Sequence, residues 1–493
     1  MNDRQPKSPK RSKFRTLLLL GFCLFLSSAA WAARQANQAP NIVLIVADDQ
    51  GYADLACYGG KDILTPNLDR LASEGVRLTQ FYVTWPACTP SRGSLLTGRY
   101  PQRNGTYDMF RNEAPDYGHT YPPEEYAITW ERIGGMDTRE ILIPALLKER
   151  GYVSGIFGKW DLGIHRRFLP IARGFDAFYG FVNTGIDYYT HERYGVPSMY
   201  RNNSPTEEDK ETYATSLFER EALNFINANK DRPFFLYVPF NAPHNSSNLD
   251  PGIRASVQAP QEFIDMYEPD PNEGWRTVTR YGKEAKAPNR SMRRRHFKAA
   301  VTCMDQAIGK ILNRLEEHQL TDDTIVIFLS DNGGGGGSNN SPLRGGKGRM
   351  FEGGVRVPCL IKYPKVIPAG TVSDAFLSTL EIAPTLWQLA GVQSPPQLAL
   401  DGFNMLPVLQ GAAPSKRTSL FWKRRGDLAA RVGDWKWVES RGGNGLFDLE
   451  SDVSESKDLS VSHPDRLKAM RTHFSEWLNQ MESAEPRGPF RDY

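Results

Sequence analysis

Residues 41–49 read Asn-Ile-Val-Leu-Ile-Val-Ala-Asp-Asp, an apolar run that ends in two adjacent aspartates. Continuous apolar runs rich in β-branched residues are typical of strands that are buried on both faces. Similar runs recur at 152–158, 233–240 and 324–330, and helical spacing occurs at 65–75, 138–151, 213–230 and 296–319. This alternation predicts an α/β fold with a large, mainly parallel (mixed) sheet and helices on both faces.

The pattern changes near residues 411–418, GAAPSKRT. Beyond them, short stretches resemble antiparallel strands, and a helix is predicted at about 463–482. We therefore expect a main domain over 40–412 and a smaller C-terminal α+β subdomain with an antiparallel sheet over 413–493. The segments 101–137 and 245–292 have little periodicity and are predicted to be long loops over the sheet, where loops of that length are usually functional.

Residues 1–32 have the pattern of a signal peptide. A basic stretch precedes the apolar run TLLLLGFCLFL and the small-residue site Ala30-Trp31-Ala32, so cleavage is expected after Ala32. The apolar run is too short for a confident membrane span, and no stable span is expected after cleavage; a retained anchor is the alternative. The protein is expected to be exported, either to the periplasm or to the medium.

Charge argues against a nucleic-acid partner, and the cysteine spacing argues against a disulfide scaffold or a CxxC metal site. Six of the 60 basic residues and one of the 57 acidic residues lie in 1–32, so the rest of the chain is close to neutral and favours no nucleic-acid partner. The cysteines of the mature chain match neither a disulfide scaffold nor a CxxC metal site. Cys57, Cys303 and Cys359 are expected to be buried or free, and Cys88 is considered separately.

Reactive side chains follow the ends of the predicted strands. These residues are Asp48, Asp49, Lys159, His244, Asp331 and Asn332. Because the carboxyl ends of parallel strands lie along one edge of a sheet, these side chains are expected to meet in one cleft. Clustered oxygen ligands without a thiolate favour calcium or magnesium over zinc. The alternative is that the Asp-Asp and Asp-Asn-Gly pairs only cap strands and form turns.

Cys88 opens the stretch CTPSRGSLLTG (88–98), in which Pro90 suits the first turn of a helix. Arg92, four residues after Cys88, is expected to turn toward the group that Cys88 carries. A thiolate is a poor ligand beside a hard cation, and neighbouring carboxylates would raise the thiol pKa. Cys88 is therefore either a structural cysteine or a residue that must carry something other than sulfur.

The same stretch resembles the sulfatase motif Cys-x-Pro-Ser-Arg-x-x-x-Leu-x-Thr-Gly. Other blocks are similar to that family in the family's order: NIVLIVADDQGYADLACYGG (41–60), GKWDLG (158–163), GFDAFYGF (174–181), APH (242–244), VIFLSDNG (326–333) and GGKGRMFEGGVRVP (345–358). The tail from GDWKWVES onward also resembles the family's C-terminal subdomain. On these blocks the chain is identified as a member of the sulfatase family.

The resemblance implies that Cys88 is converted after translation to Cα-formylglycine (3-oxoalanine) by a formylglycine-generating maturation enzyme. It also implies one calcium ion per chain, held by Asp48, Asp49, Asp331, Asn332 and the oxygen at position 88. In the implied reaction, one hydroxyl of the hydrated aldehyde attacks the sulfur of a sulfate ester and the alcohol leaves. Loss of the second hydroxyl's proton then expels sulfate and restores the aldehyde.

The resemblance further assigns roles to charged side chains around position 88. Arg92 would orient the hydrated aldehyde, and Lys159 and Lys347 would bind the sulfate oxygens where charge builds up. His244 would contact the bridging oxygen and protonate the leaving alcohol. Without the resemblance, Lys347 reads as a solvated loop lysine.

Asp161 departs from the family pattern, which usually has histidine in the block GKWDLG. An ionised aspartate cannot donate a proton and adds negative charge near a sulfate site. It would serve as a base that helps the hydrated intermediate collapse, or turn away and leave the role to a neighbour such as His165. It is also compatible with reduced activity or an unusual substrate.

The leading hypothesis is a sulfuric ester hydrolase that releases inorganic sulfate from a sulfated carbohydrate or, less favoured, from an aryl sulfate. The alternatives are a phosphonate or phosphodiester hydrolase of the same superfamily and a sulfated-glycan binding protein that has lost catalysis. A set of aromatic and arginine side chains is expected to be exposed and to form a sugar-binding rim, with ordinary solvated loop surface as the alternative for each of them. They are Tyr107, Arg111, Tyr117, Trp130, Tyr188, Tyr189, Trp275, Arg276 and Arg293 to Arg295.

Overall fold

In the computed structural model, strand β1 (Asn41–Ala47) lies inside a ten-stranded sheet. It has a parallel neighbour on each side, with Ile42 aligned with Phe235 on one and with Ile325 on the other. All of its residues are buried, as expected of a strand that is covered on both faces. The strand predicted from the opening stretch is therefore confirmed.

The structure describes residue 1 and residues 39–110, 134–254, 256–280, 283–485 and 487. Apart from Met1, the predicted signal peptide lies outside these residues, as do Arg111, Tyr117 and Trp130 of the predicted rim. Residues 41–493 group as one compact unit. No helix within the described ranges combines the length and apolar character needed to cross a membrane.

The strands of the large sheet run in the spatial order β15, β2, β14, β13, β1, β10, β4, β5, β8, β9. The strands along the chain are β1, β2 (Val76–Leu78), β3 (Phe81–Tyr82), β4 (Val153–Lys159), β5 (Ala177–Phe181), β6 (Glu192–Arg193), β7 (Val196–Pro197), β8 (Met199–Arg201), β9 (Ser204–Pro205), β10 (Phe234–Pro239), β11 (Trp275–Arg280), β12 (Lys283–Pro288), β13 (Thr324–Ser330), β14 (Cys359–Lys362), β15 (Thr371–Ser373), β16 (Leu377–Ser378), β17 (Ser419–Arg424), β18 (Asp427–Val432), β19 (Trp435–Ser440) and β20 (Gly443–Asp448). The central strands β13, β1, β10, β4 and β5 are parallel, whereas β14 and β8 run antiparallel to their neighbours. The sheet is thus mainly parallel but mixed, as predicted.

Helices cover both faces of this sheet. The α-helices are α1 (Pro66–Ser73), α2 (Cys88–Thr97), α3 (Pro101–Asn104), α4 (Ile143–Leu147), α5 (Ala214–Asn229), α6 (Pro251–Arg254), α7 (Gln261–Ile264), α8 (Arg290–Glu317), α9 (Glu352–Val355), α10 (Ile382–Leu389), α11 (Leu406–Leu409) and α12 (Pro464–Glu482). Short 3-10 helices lie at Tyr52–Asp54, Ala56–Tyr58, Lys148–Arg150, Arg166–Phe168, Pro170–Arg173, Thr321–Asp323 and Thr379–Glu381.

Alternate residues of β1 face the two layers. Val43 and Ile45 belong to a core that includes residues of α1, α5 and α8. Ile42 and Leu44 point to the opposite face, because side chains alternate along a strand, and they are equally buried. Helices α2, α4 and α10 pack together and contribute no residue to the first core, so they belong to that second layer.

The C-terminal part forms an antiparallel sheet, β17 to β20 in chain order, with α12 packed on it. The predicted antiparallel strands and terminal helix are therefore present. The sheet is joined to the larger part of the fold by buried polar contacts. Trp422 donates its indole N–H to the carbonyl of Val83 at 2.8 Å, and Lys436 lies 2.8 Å from Glu352 and 3.2 Å from Glu455, with all three side chains fully buried.

Two predictions about the loops and helices were wrong in part. The predicted loops are not simply loops, because 101–137 begins with α3 and 245–292 contains α6, α7 and the β11–β12 hairpin. That hairpin exposes most of its residues, so it lacks the apolar alternation that marks a half-buried strand. The stretch 138–151 forms only the short helix α4 and one 3-10 turn. Cys57, Cys88, Cys303 and Cys359 are all free.

Candidate active site

Two strand ends bring the acidic residues together. Asp48 and Asp49 follow β1, and Asp331 and Asn332 follow β13, whose parallel register aligns Ala47 with Ser330. The side chain of Asn332 donates to Asp49 Oδ1 at 2.8 Å, and the backbone N–H of Asp49 donates to Asp331 Oδ1 at 3.3 Å. The backbone of Asp49 is in the left-handed region, with φ of 71°. The predicted convergence of these four residues is therefore observed.

Cys88 is the first residue of α2 and is 1% exposed. Its Sγ lies 3.5 Å from Asp48 Oδ1. Arg92, one turn later, donates to Asp331 Oδ2 through Nε at 3.0 Å and through Nη2 at 2.7 Å. The same Nη2 is 3.8 Å from Asp48, so Arg92 contacts the aspartates at the ends of both strands.

Two lysines from separate parts of the chain each pair with one of the two aspartates that follow β1. Lys159, the last residue of β4, lies 2.7 Å from Asp48 Oδ2 and is fully buried. Lys347, in the loop that follows β13, donates to Asp49 Oδ2 at 2.8 Å and to Cys88 Sγ at 3.3 Å. The loop lysine that was ambiguous in the sequence therefore lies beside Cys88.

The electrostatic balance of the site keeps these carboxylates charged. Burial by itself would raise the pKa of Asp48, but the cations around it, above all Lys159, lower that pKa below its usual value. Burial also acts to raise the pKa of Asp49, but Lys347, His244 and the hydrogen bond from Asn332 together outweigh it and lower that pKa. Burial instead raises the pKa of the Cys88 thiol. An unmodified Cys88 thus stays protonated at neutral pH, which makes it a weak nucleophile.

His244 borders the opening of the site. Its Nδ1 is 2.7 Å from the carbonyl of Asn245 and therefore carries the proton, while Nε2 lies 3.8 Å from Asp49 Oδ2. Burial lowers the pKa of His244 to about 4. The hydroxyl of Tyr188 contacts the carbonyls of His244 at 2.7 Å and Asn241 at 3.0 Å. Tyr188 is fully buried, so its prediction as an exposed rim residue was wrong; it supports the turn that carries His244.

Asp161 is buried next to Lys159, with 3.7 Å between the charged atoms. Its backbone is left-handed, with φ of 58°, and its carboxylate oxygens lack a hydrogen bond of normal geometry among the described residues. Burial raises the pKa of Asp161 to about 6. His165 is exposed, which argues against its replacing Asp161 beside Cys88.

The donor set fits a hard cation. One ligand atom each from Asp48, Cys88 and Asp331 lie within 4.8 Å of one another, and so do those of Asp48, Asp49 and His244. The side-chain oxygen of Asn332 is buried and has no hydrogen-bond partner among the described residues. An unpaired buried carbonyl oxygen beside three carboxylates is the ligand type that calcium and magnesium prefer.

A cleft of about 650 Å³ opens over Asp49, His244 and Lys347. Glycines 334–336 line one wall and belong to residues 333–339, which we call the glycine-rich loop; the backbone N–H of Gly335 donates to the carbonyl of Asp49 at 3.1 Å. Tyr194, Arg254 and Arg349 line other parts of the cleft. These three residues were not predicted to be part of the site, because none follows a strand predicted from the sequence; Tyr194 lies in the short β6–β7 hairpin, and Arg349 only shares a motif block with Lys347.

The family model for Sulfatase matches residues 40–392. The chain belongs to the sulfatase family. It is 35% identical to human N-acetylgalactosamine-6-sulfatase over 430 residues, which cover 83% of this chain and 74% of the relative. It is also 32% identical to human arylsulfatase A, covering 87% of this chain and 80% of that protein. The sulfatase relatives thus match most of both chains.

Solved structures support the sulfatase fold. The crystal structure of Ps i-CgsB in complex with k-i-k-neocarrahexaose superposes with a TM-score of 0.74 at 33% identity, covering 89% of this chain and 93% of that one. The crystal structure of PsFucS1 sulfatase from Pseudoalteromonas sp. has a TM-score of 0.70 at 24% identity, covering 93% and 94%. The sulfatase assignment from the sequence blocks is therefore confirmed, and the chain is an enzyme of this family.

Proposed function

We propose that this sulfatase hydrolyses a sulfate ester and releases inorganic sulfate, with formylglycine made from Cys88 as the source of the nucleophile. The observation that carries the proposal is the position of Cys88. It is the buried first residue of α2, 3.3 Å from Lys347 and 3.5 Å from Asp48, and burial raises its thiol pKa. The surroundings suit an oxygen nucleophile beside a cation and do not activate sulfur. The hydrated aldehyde would supply that oxygen.

Asp48, Asp49, Asp331 and Asn332, together with the oxygen at position 88, would hold one calcium ion. Bound there, calcium supplies the positive charge that neutralises the sulfate and favours ionisation of the nucleophile. The chain already surrounds these carboxylates with Arg92, Lys159 and Lys347. These three cations offset the acidic charge that would otherwise repel an anionic substrate.

The basic side chains of the site divide three tasks in the proposed reaction: binding sulfate, orienting the aldehyde and protonating the leaving alcohol. Lys159 and Lys347 bind sulfate oxygens as fixed donors, which stabilises the charge that develops there. Arg92, which donates two hydrogen bonds to Asp331, orients the hydrated aldehyde. In the free site His244 is neutral with its proton on Nδ1. A bound sulfate adds negative charge beside Nε2, which raises the pKa of His244 and lets Nε2 protonate the leaving alcohol.

Asp161 is proposed to act as a base during collapse of the intermediate. Its pKa of about 6 lets it accept a proton near neutral pH. Lys159, 3.7 Å away, favours the ionised form between turnovers. The proposal accounts for aspartate at this position without requiring it to donate a proton in its ionised state.

The substrate is proposed to be a sulfated carbohydrate rather than a small aryl sulfate. Two comparisons support this: a relative is named N-acetylgalactosamine-6-sulfatase, and a similar structure is a complex with neocarrahexaose. The cleft also carries Arg254 and Arg349 beyond the sulfate position, which suits a larger anionic substrate. Trp275 of the predicted rim is 63% exposed.

The remaining proposals concern processing and layout. We retain a signal peptide over 1–32, export to the periplasm or the medium, a catalytic domain over 40–412 and a C-terminal subdomain over 413–493. A maturation enzyme must modify Cys88 before the fold buries it, since the side chain is inaccessible in the folded chain.

The test combines peptide mass spectrometry of residue 88 with assays of sulfate release. Protein co-expressed with a formylglycine-generating enzyme is expected to carry an aldehyde at residue 88 and to release sulfate, while Cys88→Ala is expected to be inactive. Faster hydrolysis of a phosphonate or phosphodiester than of any sulfate ester would favour the superfamily alternative. Tight glycan binding without turnover in fully modified, calcium-loaded protein would instead favour the binding-protein alternative.

A further inference from the structure

A second cavity, of about 580 Å³, lies beside the catalytic cleft. Its charged lining consists of Lys61, Asp62 and three arginines of the first turns of α8, which are Arg290, Arg293 and Arg294. The opposite wall is formed by residues 337–339 of the glycine-rich loop. We call this cavity the arginine pocket.

The arginine pocket and the cleft meet at the glycine-rich loop. Ser338 lines both cavities. The loop is held in position from below, because Arg294 donates to the carbonyl of Gly337 at 2.7 Å and Asp54 Oδ1 accepts from the backbone N–H of Asn339 at 2.9 Å. A ligand that crosses this loop would contact both cavities.

Positive charge in the arginine pocket is only partly neutralised. Arg294 pairs with Asp54 and with Asp62, both at 2.7 Å, and the neighbouring Arg295 pairs with Glu273 at 2.6 Å. No carboxylate among the described residues pairs with Lys61, Arg290 or Arg293. The pocket therefore has three cations without an acidic partner.

This arrangement is costly unless an anion binds. The Nε of Arg293 is buried and has no hydrogen-bond partner among the described residues. Burial, together with the charges of Arg276 and Arg290, lowers the pKa of Arg293. Cations are also disfavoured near the N-terminus of a helix, because the positive end of the helix dipole lies there. A bound anionic group would offset the repulsion among the arginines and their unfavourable interaction with the helix dipole, and it would accept the hydrogen bond that Arg293 Nε lacks.

We infer that the arginine pocket binds a second anionic group, a sulfate or a carboxylate, of an oligosaccharide whose scissile sulfate ester occupies the cleft. This inference rests on the proposed function, since it takes the cleft as the reaction site. Guanidinium groups match the geometry of such oxyanions and bind them through paired N–H donors. The enzyme then prefers chains with several negative charges over singly sulfated ones.

The test replaces the two unpaired arginines and leaves the proposed catalytic residues intact. The variant Arg290→Gln/Arg293→Gln is compared with Lys230→Gln/Lys468→Gln, which removes the same charge from exposed sites on α12 and at the end of α5. Binding of a size-defined heparin hexasaccharide is measured by calorimetry at low salt. All forms also carry Cys88→Ala, so that no turnover disturbs the titration.

The arginine variant is expected to bind the hexasaccharide about tenfold more weakly, which corresponds to about 1.4 kcal/mol. The lysine control is expected to stay within about twofold, because isolated exposed charges contribute little. In enzyme that lacks the Cys88→Ala substitution and carries formylglycine at residue 88, the two arginine substitutions should raise the KM for a multiply sulfated oligosaccharide and leave the hydrolysis of a small aryl sulfate unchanged. Equal losses in both variants, or no loss in either, would overturn the inference.

The single variant Arg290→Gln serves if the double variant does not fold, since Arg290 is exposed. Failure of the proposed function has a different signature. If the modified wild-type enzyme releases no sulfate but the hexasaccharide binds more weakly only to the arginine variant, the pocket stands and the assigned reaction falls.

Discussion

The Nζ of Lys347 lies 3.3 Å from the Sγ of Cys88 and 2.8 Å from Oδ2 of Asp49. One ammonium group thus contacts both the residue proposed to become the nucleophile and a proposed calcium ligand. Lys159 holds Asp48 from the other side at 2.7 Å. A sulfate group entering between the two lysines would meet fixed positive charge on both flanks, which is the arrangement that stabilises developing negative charge without reorganisation.

Replacing Lys347 by methionine is expected to lower kcat about 10²- to 10³-fold, the usual effect of removing one fixed donor from an oxyanion site. Methionine retains much of the length of the side chain but donates no hydrogen bond. Steady-state assays on a saturating sulfate ester measure the effect. Lys457→Met, an exposed lysine of the C-terminal part, is the control and should keep full activity; an equal loss there would contradict the assigned role.

Removing the metal is expected to abolish sulfate release and lower the melting temperature. Asp48, Asp49 and Asp331 converge in a buried site, and a cation that binds only the folded state stabilises it by about 2.7 kcal/mol at 100 times its dissociation constant. The measurement is thermal unfolding of chelator-treated protein titrated with calcium and, separately, magnesium. Asp331→Asn should weaken this shift, whereas the exposed Asp62→Asn should not. A melting temperature that ignores both ions would argue against the site.

Asp161→Asn is expected to change how stability depends on pH in the metal-free protein. The folded-state pKa of Asp161 is about 6, above its ordinary 3.8, so the native state favours the protonated carboxyl. Its contribution is fully favourable below pH 3.8 and is lost as pH rises through about 6. Two pH units correspond to about 3 kcal/mol as an upper bound. Asparagine tolerates the left-handed backbone and carries no charge.

Urea unfolding between pH 4 and pH 7 measures this effect. The variant should gain stability relative to the wild type as pH rises from 4 to 6, with a constant difference above that range. Parallel curves for the two proteins across the whole range would show that Asp161 does not carry the predicted ionisation penalty.

Lys436→Met is expected to destabilise the fold by about 3–5 kcal/mol, because it leaves buried acids without their cation. Lys436 contacts both Glu352 and Glu455. Burial raises the pKa of Glu455 to about 7, while Lys436 and two arginines outweigh burial and lower that of Glu352 to about 2. Glu352 therefore bears most of the cost. Urea unfolding gives the free energy.

Lys423→Met is the matched control on the same sheet. That lysine is 33% exposed and lies 3.6 Å from Glu482, so its loss should cost less than about 1 kcal/mol. Comparable losses in the two variants would mean that burial of the Lys436 network does not decide its contribution.

Part of the site was predictable because it depends on local sequence. An apolar run long enough for one buried strand fixes where the strand ends, and in a parallel sheet those ends meet. Asp48, Asp49, Asp331 and Asn332 could therefore be placed together in advance. Cys88 could be assigned to a helix start from Pro90 alone. The β11–β12 hairpin was missed because its exposed residues show no apolar alternation.

The sequence by itself determined the mixed α/β sheet, the acidic strand ends, the helix that begins at Cys88 and, through its motif blocks, the sulfatase family. Only the tertiary structure decided which side chains meet from distant segments. Lys347 reaches Cys88 across 259 positions, Tyr188 supports the turn of His244, and Arg290 and Arg293 lie unpaired beside the glycine-rich loop. Such contacts depend on how loops pack over the sheet, and no local period or propensity encodes that packing.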